Sequence, residues 1–301
     1  MISHPEHILD PQADAYDVIV IGAGMAGASV AYRLAQRCRV LVLERESQPG
    51  YHTTGRSAAM YLEAYGSEQV RALTLASKAF FQSPPAGFAE QPLMTPRGAM
   101  MVATPQEMAA LDAHVAVLQR SSIRHERLGA EQACAKVPVL RQACVGGAVF
   151  EPDAADLDVH AIHQGFLKGL RRHRGRIVCG ATVQSLQRVG DAWQVHTSAG
   201  DWTAPVVVNA AGAWAEQMGT LAGACPIGLV PYRRTAFTFA PATGVDVASW
   251  PMVYSAAEAW YFKPDAGMLL ASLSAKACST QRTRFGRSGR GSNSASVLFI
   301  A

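Results

Sequence analysis

The chain has 301 residues, of which 49% are hydrophobic and 17% charged, and a formal net charge of +4. This supplies a sizeable core and excludes a largely disordered chain. The longest uncharged apolar stretch, 18–32, covers fifteen residues and includes three glycines, too short and too broken for a membrane span.

The positive charge is local. Lys276, Arg282, Arg284, Arg287 and Arg290 follow Asp265, and no acid does. With those five set aside, 22 basic residues face 23 acidic ones, so the body is near neutral and a nucleic-acid surface on it is not expected. The first fifteen residues lack a cationic start and an apolar run, so no secretion signal is expected. A cytoplasmic protein follows, compatible with peripheral docking at the inner membrane face. The six cysteines are widely spaced without a CxxC pair, which predicts reduced thiols rather than a zinc site.

In chain order, 1–15 reads as a loose leader. Residues 16–21 form a β-branched run that stops at glycine, a buried strand. Residues 23–36 carry small and apolar residues at helical spacing, and 40–43 is a second short apolar run, completing a βαβ unit. Residues 48–66 are rich in glycine and hydroxyls, then helical. Residues 67–81 form a helix ended by Pro84 and Pro85. A strand over 98–103 precedes a helix over 105–118 capped by Thr104. Further strands are predicted at 146–150, near Ile177, and at 185–188, 193–197, 206–209, 229–239, 253–262 and 268–273, with helices at 158–173 and 213–222. A βαβ start followed by a strand-rich remainder predicts an α/β nucleotide domain interleaved with a mixed or antiparallel-sheet domain.

Gly22, Gly24 and Gly27 make a GxGxxG motif between the first strand and its helix. Gly22 permits a tight turn, Gly24 lets the backbone approach a pyrophosphate, and Gly27 lets helix and strand pack closely. Ala26 lies in the same turn, whose helix N-terminus offers N–H donors to phosphate. Glu44 ends the second strand 22 residues after Gly22, where a carboxylate can accept both ribose hydroxyls and repels a 2′-phosphate. The bland alternative is a glycine-rich turn with Glu44 as surface charge. The motif alone does not separate FAD from NAD. The long loop 48–59 and the strand 206–209 running into Ala210, Ala211 and Gly212 supply two further backbone approaches, which suit a long cofactor.

With those stretches in place, the sequence resembles the FAD-dependent D-amino-acid oxidase superfamily, nearest to its D-arginine dehydrogenase branch. LERESQPGYHTTGRSAA (43–59), SPPAGF (83–88), EQACAKVPVLR (131–141), VVNAAGAWA (207–215) and YFKPDAGMLL (261–270) carry the resemblance. It implies a Rossmann-like FAD-binding domain over 16–66 and 150–225. A substrate domain would cover 67–149 and 226–275, with 276–301 an irregular tail. Glu44 and Arg45 would sit at the adenosine ribose and Val183 at the adenine. Thr53, Thr54, Gly55, Arg56, Ser57, Ala58, Ala59 and Met60 would follow the pyrophosphate and flavin edge, and Ala211 and Gly212 would line the cofactor. Tyr65, Arg234 and Tyr261 would hold an amino acid, with Arg234 on its carboxylate. Of the pair Arg233 and Arg234, only one faces inward, and the resemblance selects Arg234.

The implied reaction oxidises the Cα–N bond of a D-amino acid by hydride transfer to flavin N5, giving an imino acid and then a 2-oxo acid and ammonia. The resemblance leaves open whether O₂ or a quinone-linked carrier reoxidises the flavin. Alternatives are an inactive flavin-binding remnant, or a related amine or 2-hydroxy-acid dehydrogenase. His160 and His163, three apart on a polar helix, lack the partners a metal site needs. His52 is equally a flavin contact or a loop hydrogen bond.

Three departures from the resemblance matter. Gly98 and Ala99 stand where the D-arginine branch has an acid, and Met60 where it has a histidine; both predict a neutral or apolar substrate side chain. Resemblance stops near Leu273, followed by a Ser-, Arg- and Gly-rich stretch without an acid. That predicts a truncated or frameshifted C-terminal part, missing strands and weak retention of FAD.

Overall fold

A computed structural model describes residues 15–232, 234–273 and 295–296. The chain divides into two compact units: one runs to Gly55 and resumes over His160–Pro231, and the other is Arg56–Val159 with the chain from Tyr232 onward. Residues 56–66 and 150–159, grouped above with the nucleotide domain, thus have their contacts in the second unit.

In the first unit, strand β1 (Val18–Ile21), helix α1 (Met25–Leu34) and strand β2 (Val40–Leu43) form the predicted βαβ unit. The parallel sheet runs Val206–Asn209, β1, β2, Arg176–Val178. All eight residues of β1 and β2 are buried, which explains their unbroken apolar runs: each face of the sheet is covered. Val18, Val20, Val40 and Val42 pack with Ala31 of α1 and Leu170 of the helix Val159–Arg172. Ile19, Ile21, Leu41 and Leu43 pack against a three-stranded antiparallel meander, with Val183, Leu186 and Val195 inward. The meander's third strand, Gly200–Ala204, was not anticipated; only Trp202 and Ala204 turn inward, leaving little apolar pattern to read.

The second unit holds an eight-stranded mixed sheet. Met252–Ser255 pairs in parallel with Ala99–Ala103; the neighbouring pairings are antiparallel. Met100, Val102, Ala148 and Val253 fill one face. Met101, Val149 and Leu111 of the helix Met108–Arg120 fill part of the other. Met60–Tyr61, Ala155–Leu157 and Met94–Pro96 form a separate three-stranded antiparallel sheet.

Several expectations change. The predicted strand 253–262 is two strands, Met252–Ser255 and Trp260–Asp265, joined by a turn in which Ser255 Oγ accepts the Ala259 N–H at 2.7 Å and Glu258 has φ +55°. The strand expected over 229–239 is found at Arg234–Phe239; ahead of it the Leu229 N–H donates to the Glu216 carboxylate at 3.3 Å. The helical end expected in 48–66 is the short strand Met60–Tyr61, held by Ala155 and Asp156. Most of the tail, including Cys278, lies outside the described residues; within it, Ala295–Ser296 pairs with Arg234 and Thr235.

Candidate active site

The glycine motif occupies the β1–α1 junction. Gly22 has φ +100°, and a Cβ there would meet the Ala210 carbonyl oxygen at 2.5 Å. A Cβ on Gly27 would lie 1.8 Å from the Gly22 carbonyl oxygen. Both glycines are therefore required by close backbone approach. Gly24 is the N-cap of α1 and has only Thr54 Oγ1 nearby, at 3.3 Å from an added Cβ. The Met25 N–H donates to Thr54 Oγ1 at 2.9 Å. Among the other first-turn donors of α1 are the Ala26 and Gly27 amides, at the position where a helix presents N–H groups to anions.

Glu44 is 8% exposed, which is exceptional for a carboxylate and calls for partners. One oxygen accepts the Ala23 N–H at 2.9 Å and the other the Glu46 N–H at 2.9 Å. Each carboxylate oxygen keeps a further lone pair, so a diol can still be bound. Ala181 N–H donates to the Glu44 carbonyl at 2.9 Å, which brings the chain leading to Val183 beside the acid; Val183 itself buries its side chain beneath the sheet.

Arg45 sits over Trp214, with its guanidinium carbon 3.8 Å from the ring centroid, and donates twice to Glu46 Oε1. His52 shares that oxygen at 2.8 Å and packs against Trp214 at 4.7 Å between centroids. These contacts hold the Glu46 carboxyl below its usual range despite its burial. His52 is thus a loop hydrogen-bond partner within this unit. The second approach is fixed by the Ala210 N–H donating to the Ile21 carbonyl at 2.9 Å and the Ala211 N–H to Asn209 Oδ1 at 3.3 Å, followed by Gly212 at φ +55°. Thr53, Thr54 and Gly55 belong to this unit, and the Gly55 N–H closes a turn onto the Gly50 carbonyl at 2.8 Å.

Arg56, Ser57, Ala58, Ala59 and Met60 belong to the second unit with Tyr65, Arg234 and Tyr261. Ala59 is left-handed at φ +56°; its N–H donates to Ser57 Oγ at 3.0 Å and its carbonyl accepts the Leu157 N–H at 2.8 Å. A strained alanine persists only where its surroundings fix it. The Arg234 guanidinium carbon lies 6.0 Å from the Tyr261 ring centroid. Burial raises the Tyr261 phenol above its ordinary value, against the Ser272 hydroxyl bond and the Arg234 charge, with Tyr65 adding to the rise. Ser272, Arg234 and Tyr65 therefore all act on the Tyr261 phenol, and Ser272 is its register partner on the neighbouring strand. Arg233 lies outside the described residues.

Tyr261 packs with Ala58, Met60, Leu62, Ala99, Ala154 and Met252, an apolar surround. Gly98 has φ +76° and no room for a side chain: a Cβ would meet the Phe150 ring at 2.6 Å. Asp156 is a carboxylate in the same unit, and its oxygens bind Lys263 at 2.6 Å and Arg97 at 2.7 Å. Lys263 is 3% exposed and lies two residues from Tyr261 on the same strand.

Sequence reading missed Ser272, the Arg97–Asp156–Lys263 network and His163. Alternation with Tyr261 could have flagged Lys263, since a charge at an inward strand position needs a partner. His163, read only with His160, is buried, and its Nε2 bonds to the Ala23 carbonyl at 2.8 Å. Among the described residues no group of three or more His, Cys, Asp or Glu could hold a metal ion, and no helix is long and apolar enough to cross a membrane.

A parallel sheet with this glycine turn and acid, joined in one chain to a mixed-sheet unit, defines a dinucleotide-binding fold. The chain belongs to the FAD dependent oxidoreductase (DAO) family, whose match covers residues 17–293. It is 26% identical to L-2-hydroxyglutarate dehydrogenase of Escherichia coli over 239 residues, 75% of this chain and 54% of that protein. It is likewise 26% identical to monomeric sarcosine oxidase of Streptomyces avermitilis over 238 residues, 76% of this chain and 59% of that protein. The chain spans about half the length of these curated relatives. Its fold matches glycine oxidase from Geobacillus kaustophilus (TM-score 0.75, 21% identity, 87% of this chain and 71% of that one). It also matches FAD-bound L-alpha-glycerophosphate oxidase from Mycoplasma pneumoniae (TM-score 0.77, 15% identity, 87% and 71%). FAD is the cofactor by that family membership. The residues present fit it: a cradle that a Cβ would fill, helix N-terminal donors, and an acid with lone pairs to spare.

Proposed function

We propose that the protein oxidises a D-amino acid with a neutral or apolar side chain to the imino acid, which hydrolyses to a 2-oxo acid and ammonia. Residues of 16–66 and 150–225 would hold FAD, although 56–66 and 150–159 cluster with the second unit, and residues of 67–149 and 226–275 would hold the substrate. The observation that carries this reading is the Arg234 guanidinium carbon 6.0 Å from the ring centroid of Tyr261, whose own surround is apolar. Asp156 is neutralised by Lys263 and Arg97, so it offers little to a cationic side chain.

Gly22, Gly24, Ala26 and Gly27 would hold the pyrophosphate, and Glu44 and Arg45 the adenosine ribose. Val183 would sit at the adenine, Ala211 and Gly212 along the cofactor. Thr53, Thr54, Gly55, Arg56, Ser57, Ala58, Ala59 and Met60 would follow it toward the flavin. The bound flavin supplies a two-electron acceptor for hydride. Arg234 orients the substrate by a charge-assisted bond to its carboxylate. Tyr261 and Tyr65 position the amine and exclude water; with its phenol raised, Tyr261 stays a neutral donor at physiological pH. The amine's proton leaves to solvent, so the chain supplies alignment rather than a strong base. The electron acceptor is O₂ or a quinone-linked carrier.

The 26% identity to L-2-hydroxyglutarate dehydrogenase favours a second reading, oxidation of a 2-hydroxy acid. Arg234 would serve either carboxylate. The test is anaerobic mixing of the FAD-loaded protein with D-alanine, D-leucine, D-arginine and L-2-hydroxyglutarate while following the flavin's visible absorbance. Bleaching by the neutral D-amino acids supports the proposal. D-arginine as best substrate overturns the side-chain assignment, and bleaching by the hydroxy acid alone establishes the second reading.

A further inference from the structure

His163 lies on the helix Val159–Arg172, far in sequence from the glycine motif, yet it is 3% exposed and reaches that motif directly. Its Nε2 donates to the Ala23 carbonyl at 2.8 Å. The acceptor is a carbonyl, so Nε2 must carry the proton. The Ala23 N–H is at the same time held by Glu44 at 2.9 Å. The Ala23 residue is thus fixed at both its polar groups, immediately before the N-cap of α1.

The other edge of the ring meets a second turn. A Cβ on Gly50 would lie 2.9 Å from His163 Cε1 and 3.2 Å from Nδ1, so backbone and ring are in close contact there. The Gly50 carbonyl receives the Gly55 N–H at 2.8 Å, and between them Thr54 Oγ1 accepts the Met25 N–H at 2.9 Å. One imidazole therefore wedges the Gly50–Gly55 turn against the β1–α1 turn, and a threonine hydroxyl bridges the two. Burial keeps the ring neutral, with His160 opposing protonation and Glu44 and the Ala23 carbonyl favouring it.

We propose that His163 is a positioning residue for the cofactor, holding the Ala23 carbonyl and the Gly50 turn so that the α1 donors are preorganised for the pyrophosphate. This rests on the reading that these turns receive FAD. Preorganisation gains affinity by removing ordering cost from the binding step, so its loss appears in the FAD dissociation constant and release rate.

The test is FAD titration of the purified apoprotein by flavin fluorescence, with stopped-flow release, for wild type, His163→Leu, His163→Gln, His163→Asn and Glu44→Ala. His163→Leu keeps bulk without the donor and is expected to weaken FAD about tenfold, with faster release. His163→Gln, whose amide reaches the Nε2 position, is expected to stay within about threefold of wild type. His163→Asn reaches only to Nδ1, should behave as the leucine variant, and carries the comparison if that variant does not fold. Wild-type affinity in the leucine and asparagine variants, or equal weakening of glutamine and asparagine, overturns the proposal. Glu44→Ala separates the two levels. If it weakens FAD while His163→Leu does not, only the His163 role falls; if neither matters, the placement of FAD falls.

Discussion

Glu44 accepts the Ala23 N–H at 2.9 Å across 21 positions of sequence, so the acid at the end of β2 also fixes the turn of the glycine motif. One carboxylate thus ties together the elements whose spacing defines the motif. Replacing it by alanine orphans the Ala23 and Glu46 amides and, in the proposed placement of FAD, would remove the ribose acceptor. The Ala23 donor is buried, and orphaning it costs about 1–3 kcal/mol; the Glu46 amide is part-buried and costs less. Glu44→Ala is expected to weaken FAD at least about tenfold and lower the melting temperature, read by titration and thermal denaturation.

Gly27 tolerates no side chain. With a Cβ 1.8 Å from the Gly22 carbonyl oxygen, Gly27→Ala must open the turn. Overpacking of this kind costs about 1–3 kcal/mol. Gly219, with nothing within 4 Å of an added Cβ, is the control: Gly219→Ala should leave both stability and FAD affinity intact. Equal behaviour of the two variants would contradict the packing argument.

Asp156 neutralises Lys263, which is 3% exposed. Asp156→Asn leaves a buried ammonium without its counter-charge, a loss of about 3–5 kcal/mol. Lys263→Met in the same chain should recover much of it. Chemical denaturation of the two single variants and the double variant gives the coupling directly.

If the proposed substrate holds, Arg234→Met should raise its KM about 10–100-fold, the worth of a charged hydrogen bond, with FAD affinity unchanged. Tyr261→Phe should slow flavin bleaching yet leave the pH at which it accelerates unmoved, because the raised phenol does not titrate there. A shifted profile in Tyr261→Phe would assign the proton transfer to that phenol.

The His163 imidazole has its folded pKa lowered by burial from an ordinary 6.5. The unfolded chain then binds the proton more readily, so this contribution to stability is complete above pH ~6.5 and is lost as pH falls below it. His160 and Glu44 are the charged neighbours that modulate the window. The apoprotein of His163→Leu should show a shallower loss of melting temperature between pH 7 and 5 than wild type.

The first unit was readable because local signals coincided: β-branched runs buried on both faces, glycines where backbones touch, and an acid at a strand end. The second unit was less so. Strand 200–204 has only two inward residues, and the break inside 253–262 depends on a serine hydroxyl capping a turn, which periodicity does not register. Site groups were missed for the same reason. His163 and Ala23 are 140 positions apart, and Lys263 and Asp156 are 107 apart; only the tertiary fold makes them neighbours.

Isothermal titration of the apoprotein with FAD, FMN and ADP tests most directly whether the β1–α1 turn and Glu44 grip the adenylate half of the cofactor. Saturable FAD binding that ADP competes away, with FMN binding far more weakly and Glu44→Ala losing the ADP competition, is the predicted result. FMN binding as tightly as FAD, with ADP unable to compete, would contradict it.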